Sequence, residues 1–257
     1  MCIMDNAKLK SKAIKSLSKN LSTFAWASVI LLVLQSACYL TAHLSHMDLV
    51  MGILLLIVEG LFMPGLTIMA IKAATNKKVL IEDFFVNTDK FFKYIGLSII
   101  VSAIIFLLGL LEGIAFKSLI AIMFYHTEIN LILSIFMIAL GLILAVSILL
   151  VALYILVSFS QAFFIVCEEP KLTIRQMLSK SFDMMEGHIV DYCYLILSFL
   201  GWIILGMLTL GILYVLVIPY MLIAEANFYE ELKKEYKKYT GTKEPEQIIN
   251  NKDMEKE

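Results

Sequence analysis

Charged residues are scarce in this chain: they make up 17% of its 257 residues, whereas hydrophobic residues make up 60%. Soluble domains average about 25% charged and roughly 45–50% apolar residues. Four prolines and twelve glycines exclude collagen-like and Pro/Gly-rich disordered chains, and four cysteines exclude a disulfide scaffold. A net charge of −1 argues against the basic stripe typical of nucleic-acid binding. The composition therefore predicts an all-α, polytopic transmembrane helical bundle.

Long uncharged runs locate the membrane spans, because a spanning helix needs about 20 apolar residues. The sequence predicts about six spans, at residues 21–41, 49–71, 94–111, 129–167, 189–208 and 212–232. The last two are separated by a predicted tight turn at residues 209–211, where glycine permits the backbone to reverse.

The run at residues 129–167 contains no charge and allows two interpretations. As one helix it is about 58 Å long, nearly twice the hydrocarbon thickness. Two helices need a turn at Gly141 or Ser147. With six spans, 20 of the 21 Lys and Arg residues fall on one side, and only Lys117 falls on the other. Basic residues concentrate on the cytoplasmic side of membrane proteins, so the charges favour one long, tilted helix and two cytoplasmic termini.

The segments between spans predict a simple organisation. Residues 1–20 form an amphipathic cytoplasmic segment, residues 21–232 a six-helix transmembrane domain, and residues 233–257 a polar, disordered tail. Segments 9–21, 79–92 and 172–185 carry apolar residues among charged ones, which is typical of helices that lie in the membrane interface. The alternative is that any cytoplasmic connector looks somewhat amphipathic. Thr173 and Gln176 form a predicted capping box at the start of the third segment.

The second half of the chain carries several motifs that occur together. They are Cys167-Glu168-Glu169-Pro170, Leu197-Ser198-Phe199-Leu200-Gly201-Trp202, Leu208-Thr209-Leu210-Gly211, Ile218-Pro219-Tyr220-Met221 and Ala226-Asn227-Phe228-Tyr229-Glu230-Glu231-Leu232. This succession resembles the bacterial integral-membrane family catalogued as domain of unknown function 975. The chain departs from that family in lacking an Ile-Pro-Gly turn between its third and fourth spans. The resemblance implies a multi-pass protein of the bacterial plasma membrane, and it implies no catalytic residues.

Two carboxylates are the candidate intramembrane polar site. Glu59 lies near the middle of the second span, where a charge costs about 2.5–3.5 kcal/mol on insertion scales. Pro64-Gly65, just over one turn further on, suggests a broken helix nearby. Glu225 lies toward the cytoplasmic end of the last span, where snorkelling to the interface also explains it. We expect Glu59 to be a protonated structural group in a dry bundle; the alternative is that it lines a solvated path.

No other group of residues predicts chemistry. His43, His46 and Asp48 share a short loop, but a metal site needs three or four ligands with suitable geometry. Gly109 and Gly113 form a GxxxG motif, whose physical meaning is close helix packing. No catalytic residue, cofactor or metal site is predicted, since none of the common nucleophile, zinc or phosphate-loop motifs occurs.

Two function classes fit this sequence. The first is a non-catalytic protein that acts through lipids or protein partners, including a homo-oligomer, in membrane stress or in immunity to a membrane-active peptide. The second is a small-solute transporter, or a subunit of one, with Glu59 near the pathway. A water-accessible cavity buried at Glu59 would favour transport, and solid packing there would favour the first class.

Overall fold

The computed structural model describes residues 4–45, 48–85, 88–125 and 131–254. Side chains are described up to Lys238, apart from residues 42–51, 86–89, 115, 118–134 and 137. Within these ranges the chain is helical and contains no strand. Its helices are α1 (Asn6–Lys19), α2 (Leu21–Ser45), α3 (Asp48–Ala74), α4 (Thr88–Tyr125), α5 (Leu131–Phe159), α6 (Ala162–Glu168), α7 (Ile174–Met185), α8 (Ile189–Leu197), α9 (Leu200–Leu208) and α10 (Tyr214–Met254). The predicted all-α helical bundle is confirmed.

Five segments of the described chain are long and apolar enough to cross a membrane. They are Leu21–Thr41, Gly52–Ala74, Lys90–Ile114, Ile138–Glu168 and Ile189–Leu208. The sixth predicted span, residues 212–232, begins at the turn before α10 and continues in that helix. It is not among the five, because carboxylates follow its apolar start within a few turns. Six crossings therefore remain a prediction.

The long uncharged run contains one continuous helix with a short extension. Helix α5 continues unbroken past Gly141 and Ser147, the two positions where a turn could have divided the run. The helix ends instead at Ser160–Gln161, and α6 follows directly. This arrangement agrees with a single crossing. The break between α5 and α6 lies near the end of the run that is followed by basic residues.

Helix α10 spans the predicted domain boundary at Leu232. Helix α10 continues through it to Met254, so residues expected to be a disordered tail extend a helix. Lys233, the first residue of that tail, binds Glu168 at the end of α6, with its Nζ 2.7 Å from Oε1. The helix is therefore held to the bundle beyond the last apolar residues.

Local sequence explains how the amphipathic helices begin. Asp5 caps α1, where its carboxylate accepts a hydrogen bond from the Lys8 backbone N–H at 3.1 Å. The predicted capping box of α7 is present: Gln176 Oε1 accepts from the Thr173 backbone N–H at 2.9 Å, and Thr173 Oγ1 accepts from the Gln176 N–H at 3.4 Å. Such side chains satisfy N–H groups that lack a partner in the first turn.

Helices α1 and α7 turn their apolar faces toward protein. In α1 the buried residues are Leu9, Ala13 and Ser16, and the helix packs mainly on α10. Asn227 of α10 donates a hydrogen bond to the Leu9 carbonyl at 3.4 Å, which ties the first helix to the last. In α7 the buried residues are Met177, Ser181, Met184 and Met185. Each of the two helices therefore buries one face in the protein core.

The fifth predicted span consists of two short helices, α8 and α9, separated at Ser198–Phe199. Lys10 of α1 reaches this break, and its ammonium group donates to the Ser198 carbonyl at 3.2 Å and to the Ser198 hydroxyl at 3.1 Å. The same ammonium lies 4.7 Å from the centre of the Phe199 ring. A cation there compensates the unpaired carbonyls at the end of α8.

Candidate functional site

Glu59 lies in an open groove between α2 and α3. The two helices pack against each other and are separated by only two residues, so they run antiparallel. The groove has a volume of about 630 Å³ and is lined by Gln35, Ser36, Tyr39, Leu40, Leu55 and Glu59. The Glu59 side chain is exposed, and its carboxylate makes no hydrogen bond or ion pair with any described residue.

The depth of Glu59 follows from the length of its helix. It lies seven residues after Gly52, the start of the apolar segment Gly52–Ala74, which places it about 10 Å inside the segment at 1.5 Å per residue. Lipid tails surround a spanning helix at this depth. The expected dry interior differs from this geometry, since the carboxylate faces outward from the bundle. The cavity that Glu59 lines is this open groove rather than an enclosed one.

Pro64 and Gly65 do not break α3, which continues from Asp48 to Ala74. Gly65 instead allows a neighbouring segment to pack closely against α3. A short 3-10 turn, Ile81–Phe84, lies so close to Gly65 that a Cβ atom there would overlap the Phe84 carbonyl group. The Phe84 side chain is fully buried, and its ring lies 5.0 Å from the Phe62 ring. The predicted helix break is therefore a position of close approach between two segments.

Glu225 lies at a separate site, toward the basic end of the bundle. The Tyr192 hydroxyl of α8 donates to Glu225 Oε2 at 3.4 Å. The structure does not bring Glu225 into the groove with Glu59.

In the part of the chain that it describes, the structure assigns no metal site and no close helix contact to the remaining candidate residues. His46 and the side chains of His43 and Asp48 lie outside the described residues. Among the residues that are described, no three His, Cys, Asp or Glu side chains are grouped so that they could hold a metal ion. A Cβ atom on Gly109 or on Gly113 would meet nothing within 4 Å, so no described residue packs closely against the GxxxG motif.

Sequence reasoning missed a set of ion pairs at the basic end of the molecule. Lys233 lies 2.7 Å from Glu168 and 2.8 Å from Glu230, and the Tyr229 hydroxyl donates to Glu168 at 2.9 Å. Burial alone would lower the pKa of Lys233, but its hydrogen bonds to Glu168 and Glu230 outweigh burial and raise that pKa. The spacing of Glu230 and Lys233 signals one of these pairs; the partner on α6 has no local signal.

The family model described as "Protein of unknown function (DUF975)" matches residues 4–236, which include α1 through the ion-paired part of α10. The chain belongs to this family. The DUF975 match extends over the first half of the chain, beyond the motifs that carried the resemblance. No curated protein and no solved structure matches this DUF975 protein.

Proposed function

We propose that this DUF975 protein is a non-catalytic membrane protein that binds a cationic, membrane-inserted peptide through the groove between α2 and α3. One observation carries the proposal: an ionisable side chain, Glu59, is exposed in a groove at the depth of the lipid tails. Ionisable groups inside membranes normally face a bundle interior or a wet cavity, because exposure to lipid is costly.

The chemistry of the groove defines the class of peptide. A carboxylate beside the polar side chains of Gln35 and Ser36 offers hydrogen-bond acceptors, while Tyr39, Leu40 and Leu55 offer apolar contact. A Lys or Arg on an otherwise apolar helix satisfies both, since a charge pair in a medium of low dielectric is far stronger than in water. Lipid headgroups are poor candidates, because Glu59 lies about 10 Å inside the apolar segment.

This proposal extends to the cellular role. Membrane-active peptides are commonly cationic and amphipathic, so capture in the groove supports a role in immunity to such a peptide. We also propose the bacterial plasma membrane as the location, with both termini in the cytoplasm, on the basis of the distribution of 20 of the 21 basic residues.

The proposal is tested by binding in phosphatidylcholine nanodiscs. The probe is a labelled 20-residue leucine-rich helix with one central lysine, compared with the same helix carrying leucine at that position. Energy transfer to a dye on the protein measures association. We expect the lysine helix to bind, and Glu59→Gln to weaken binding about tenfold, which corresponds to about 1.4 kcal/mol.

Glu112→Gln is the matched control, since Glu112 is a half-buried carboxylate on another spanning helix, α4, and lies outside the groove. The control should bind as the wild type does. Equal binding of both helices, or equal loss in the two variants, contradicts peptide capture. If Glu59→Gln instead abolishes proton-coupled solute uptake into liposomes without changing peptide binding, the protein is a transporter.

A further inference from the structure

A second groove lies at the basic end of the molecule, far along the chain from Glu59. Two adjoining cavities, of about 340 and 320 Å³, follow helix α7 where it faces α10. Asp183 and Tyr236 line both, so the cavities form one continuous α7–α10 groove. Helix α7 has 12 residues, which makes the groove about 18 Å long at 1.5 Å per residue.

The α7–α10 groove has an apolar floor and an acidic rim. Met184 and Leu232 are buried at its base, and Leu172 is half-buried at one end. The rim carboxylates belong to Asp183, Glu186, Glu235 and Glu169. Lys180 neutralises Glu169, with its Nζ 2.6 Å from Oε1. Because Met184 and Leu232 are only 3% and 1% exposed, the groove offers apolar contact mainly at Leu172, and its dominant feature is negative charge concentrated at one end.

That negative charge is not compensated within the described chain. Asp183 and Glu186 are exposed and make no ion pair with any described residue. Asp183 lies in the last turn of α7, and Glu186 is the C-cap residue of that helix. The last turn contains no basic residue. Carboxylates there oppose the negative end of the helix dipole. Two unpaired carboxylates at the less favourable end of a helix suggest that they serve a ligand rather than the stability of α7.

Glu235 contributes a third carboxylate, which is held in place by a histidine. The Nε2 atom of His188 lies 2.9 Å from Glu235 Oε2, and its Nδ1 atom lies 3.5 Å from Asp191 Oδ2. The His188 side chain is only 14% exposed, whereas the Glu235 side chain is 46% exposed. Glu235 thus keeps a fixed position on the rim while remaining accessible.

We propose that the α7–α10 groove docks a cationic amphipathic helix of about 12 residues from a partner protein. The apolar stripe of such a helix contacts the half-buried Leu172, and its basic face meets the exposed carboxylates of Asp183, Glu186 and Glu235. Anionic lipid headgroups do not fit, since the rim repels them. Most Lys and Arg residues of the chain belong to this side of the molecule, so the acidic groove is a local reversal of charge that selects a cationic partner.

This inference does not depend on the Glu59 groove or on the peptide proposed to bind there. The test uses the full-length protein in phosphatidylcholine nanodiscs. The probe is a fluorescein-labelled 12-residue helix with lysine on one face and leucine on a narrow opposite stripe. The same helix with glutamate in place of lysine is the charge control, and empty nanodiscs supply the blank. Fluorescence anisotropy measures affinity.

We expect saturable binding of the lysine helix only, weakened three- to tenfold by Glu186→Gln and further by the double variant Asp183→Asn/Glu186→Gln. Ser179→Trp, which fills the groove without changing its charge, should also weaken binding. Glu82→Gln is the matched control, because Glu82 is an exposed carboxylate outside the groove. The proposal is overturned if Glu82→Gln and Glu186→Gln have equal effects, if the glutamate helix binds equally well, or if the wild type shows no saturable binding.

Discussion

At the scale of single residues, Gly65 decides how the chain packs after its second span. The 3-10 turn Ile81–Phe84 lies directly against this residue, and the Phe84 ring fills the space between α3 and the turn. Phe62 and Phe85 complete an aromatic group, with ring centres 5.0 and 5.7 Å from that of Phe84. Only a residue without a Cβ atom permits the Phe84 backbone to approach this closely.

Replacing Gly65 with alanine should therefore destabilise the protein. The added Cβ meets a backbone carbonyl, which cannot move aside as a flexible side chain can, so a cost of about 1–3 kcal/mol is expected. Gly201→Ala is the matched control, because a Cβ on that helical glycine meets nothing within 4 Å. It should be neutral or stabilising by up to about 1 kcal/mol. Thermal unfolding in detergent compares them, and equal midpoints would contradict the packing argument.

At the scale of secondary-structure elements, ion pairs hold the extension of α10 to its neighbours. Lys233 joins α10 to Glu168 at the end of α6, and Lys12 of α1 lies 3.3 Å from Glu231. His188, just before α8, binds Glu235. The last helix is thus attached to three other parts of the chain near the end of its apolar stretch.

The Lys233 pair predicts a defined dependence of stability on pH. Because the folded-state pKa of Lys233 is raised above its ordinary value of 10.5, its contribution is complete below pH 10.5 and is lost as the pH rises through the higher, folded-state value. Lys233→Met should lower the unfolding midpoint at pH 8, and the difference from the wild type should shrink as the pH is raised above 11. A difference that stays constant over this interval would show that the loss comes from packing.

At the scale of the whole molecule, the buried core is concentrated in one half of the bundle. The largest fully buried side chains include Tyr229, Phe24, Phe84, Phe228 and Leu66, which lie near the helix ends that carry most of the basic residues. In contrast, no residue is buried in the most apolar 18-residue window of Ile138–Glu168. Protein contacts therefore dominate the basic half, and lipid surrounds the opposite half.

This asymmetry makes the orientation testable. In a cysteine-free background, Lys117→Cys should react with a membrane-impermeant maleimide on intact cells, because Lys117 is exposed at the opposite end from the other basic residues. Lys78→Cys, also exposed, should react only after the membrane is permeabilised. The reverse pattern would invert the proposed topology, and reaction of both on intact cells would exclude it.

Much of this architecture could be predicted from the sequence, because hydrophobic length and charge are properties of whole segments. The spans at residues 21–41 and 189–208 have the bounds of two apolar segments in the structure. Helix α4 extends over Thr88–Tyr125 and is longer than the span predicted at residues 94–111. Hydropathy detects only the uncharged part of a helix, so it does not reveal where the helix begins and ends. The ion pairs that follow Leu232 had no such signal, since the partners of Lys233 and Glu235 lie far away in the sequence.

The candidate sites were harder to predict than the spans. Hydropathy identified Glu59 by its depth, but depth does not determine which face of α3 points away from the bundle. The α7–α10 groove had no sequence signal, because Asp183 and Glu235 are brought to the same groove only by folding. Side-chain direction and contacts between distant segments are tertiary properties, and they cannot be predicted from the hydrophobic pattern of a single sequence.

The attachment of α1 to α10 has a consequence for biosynthesis. Helix α1 is complete at Lys19, whereas α10 begins at Tyr214. At about 5–20 residues per second, a ribosome needs roughly 10 to 40 s to synthesise the intervening chain. During that interval α1 lacks the helix against which it mainly packs. The nascent chain therefore exposes an amphipathic helix, available to the membrane surface, to chaperones or to proteases, until α10 emerges and covers it.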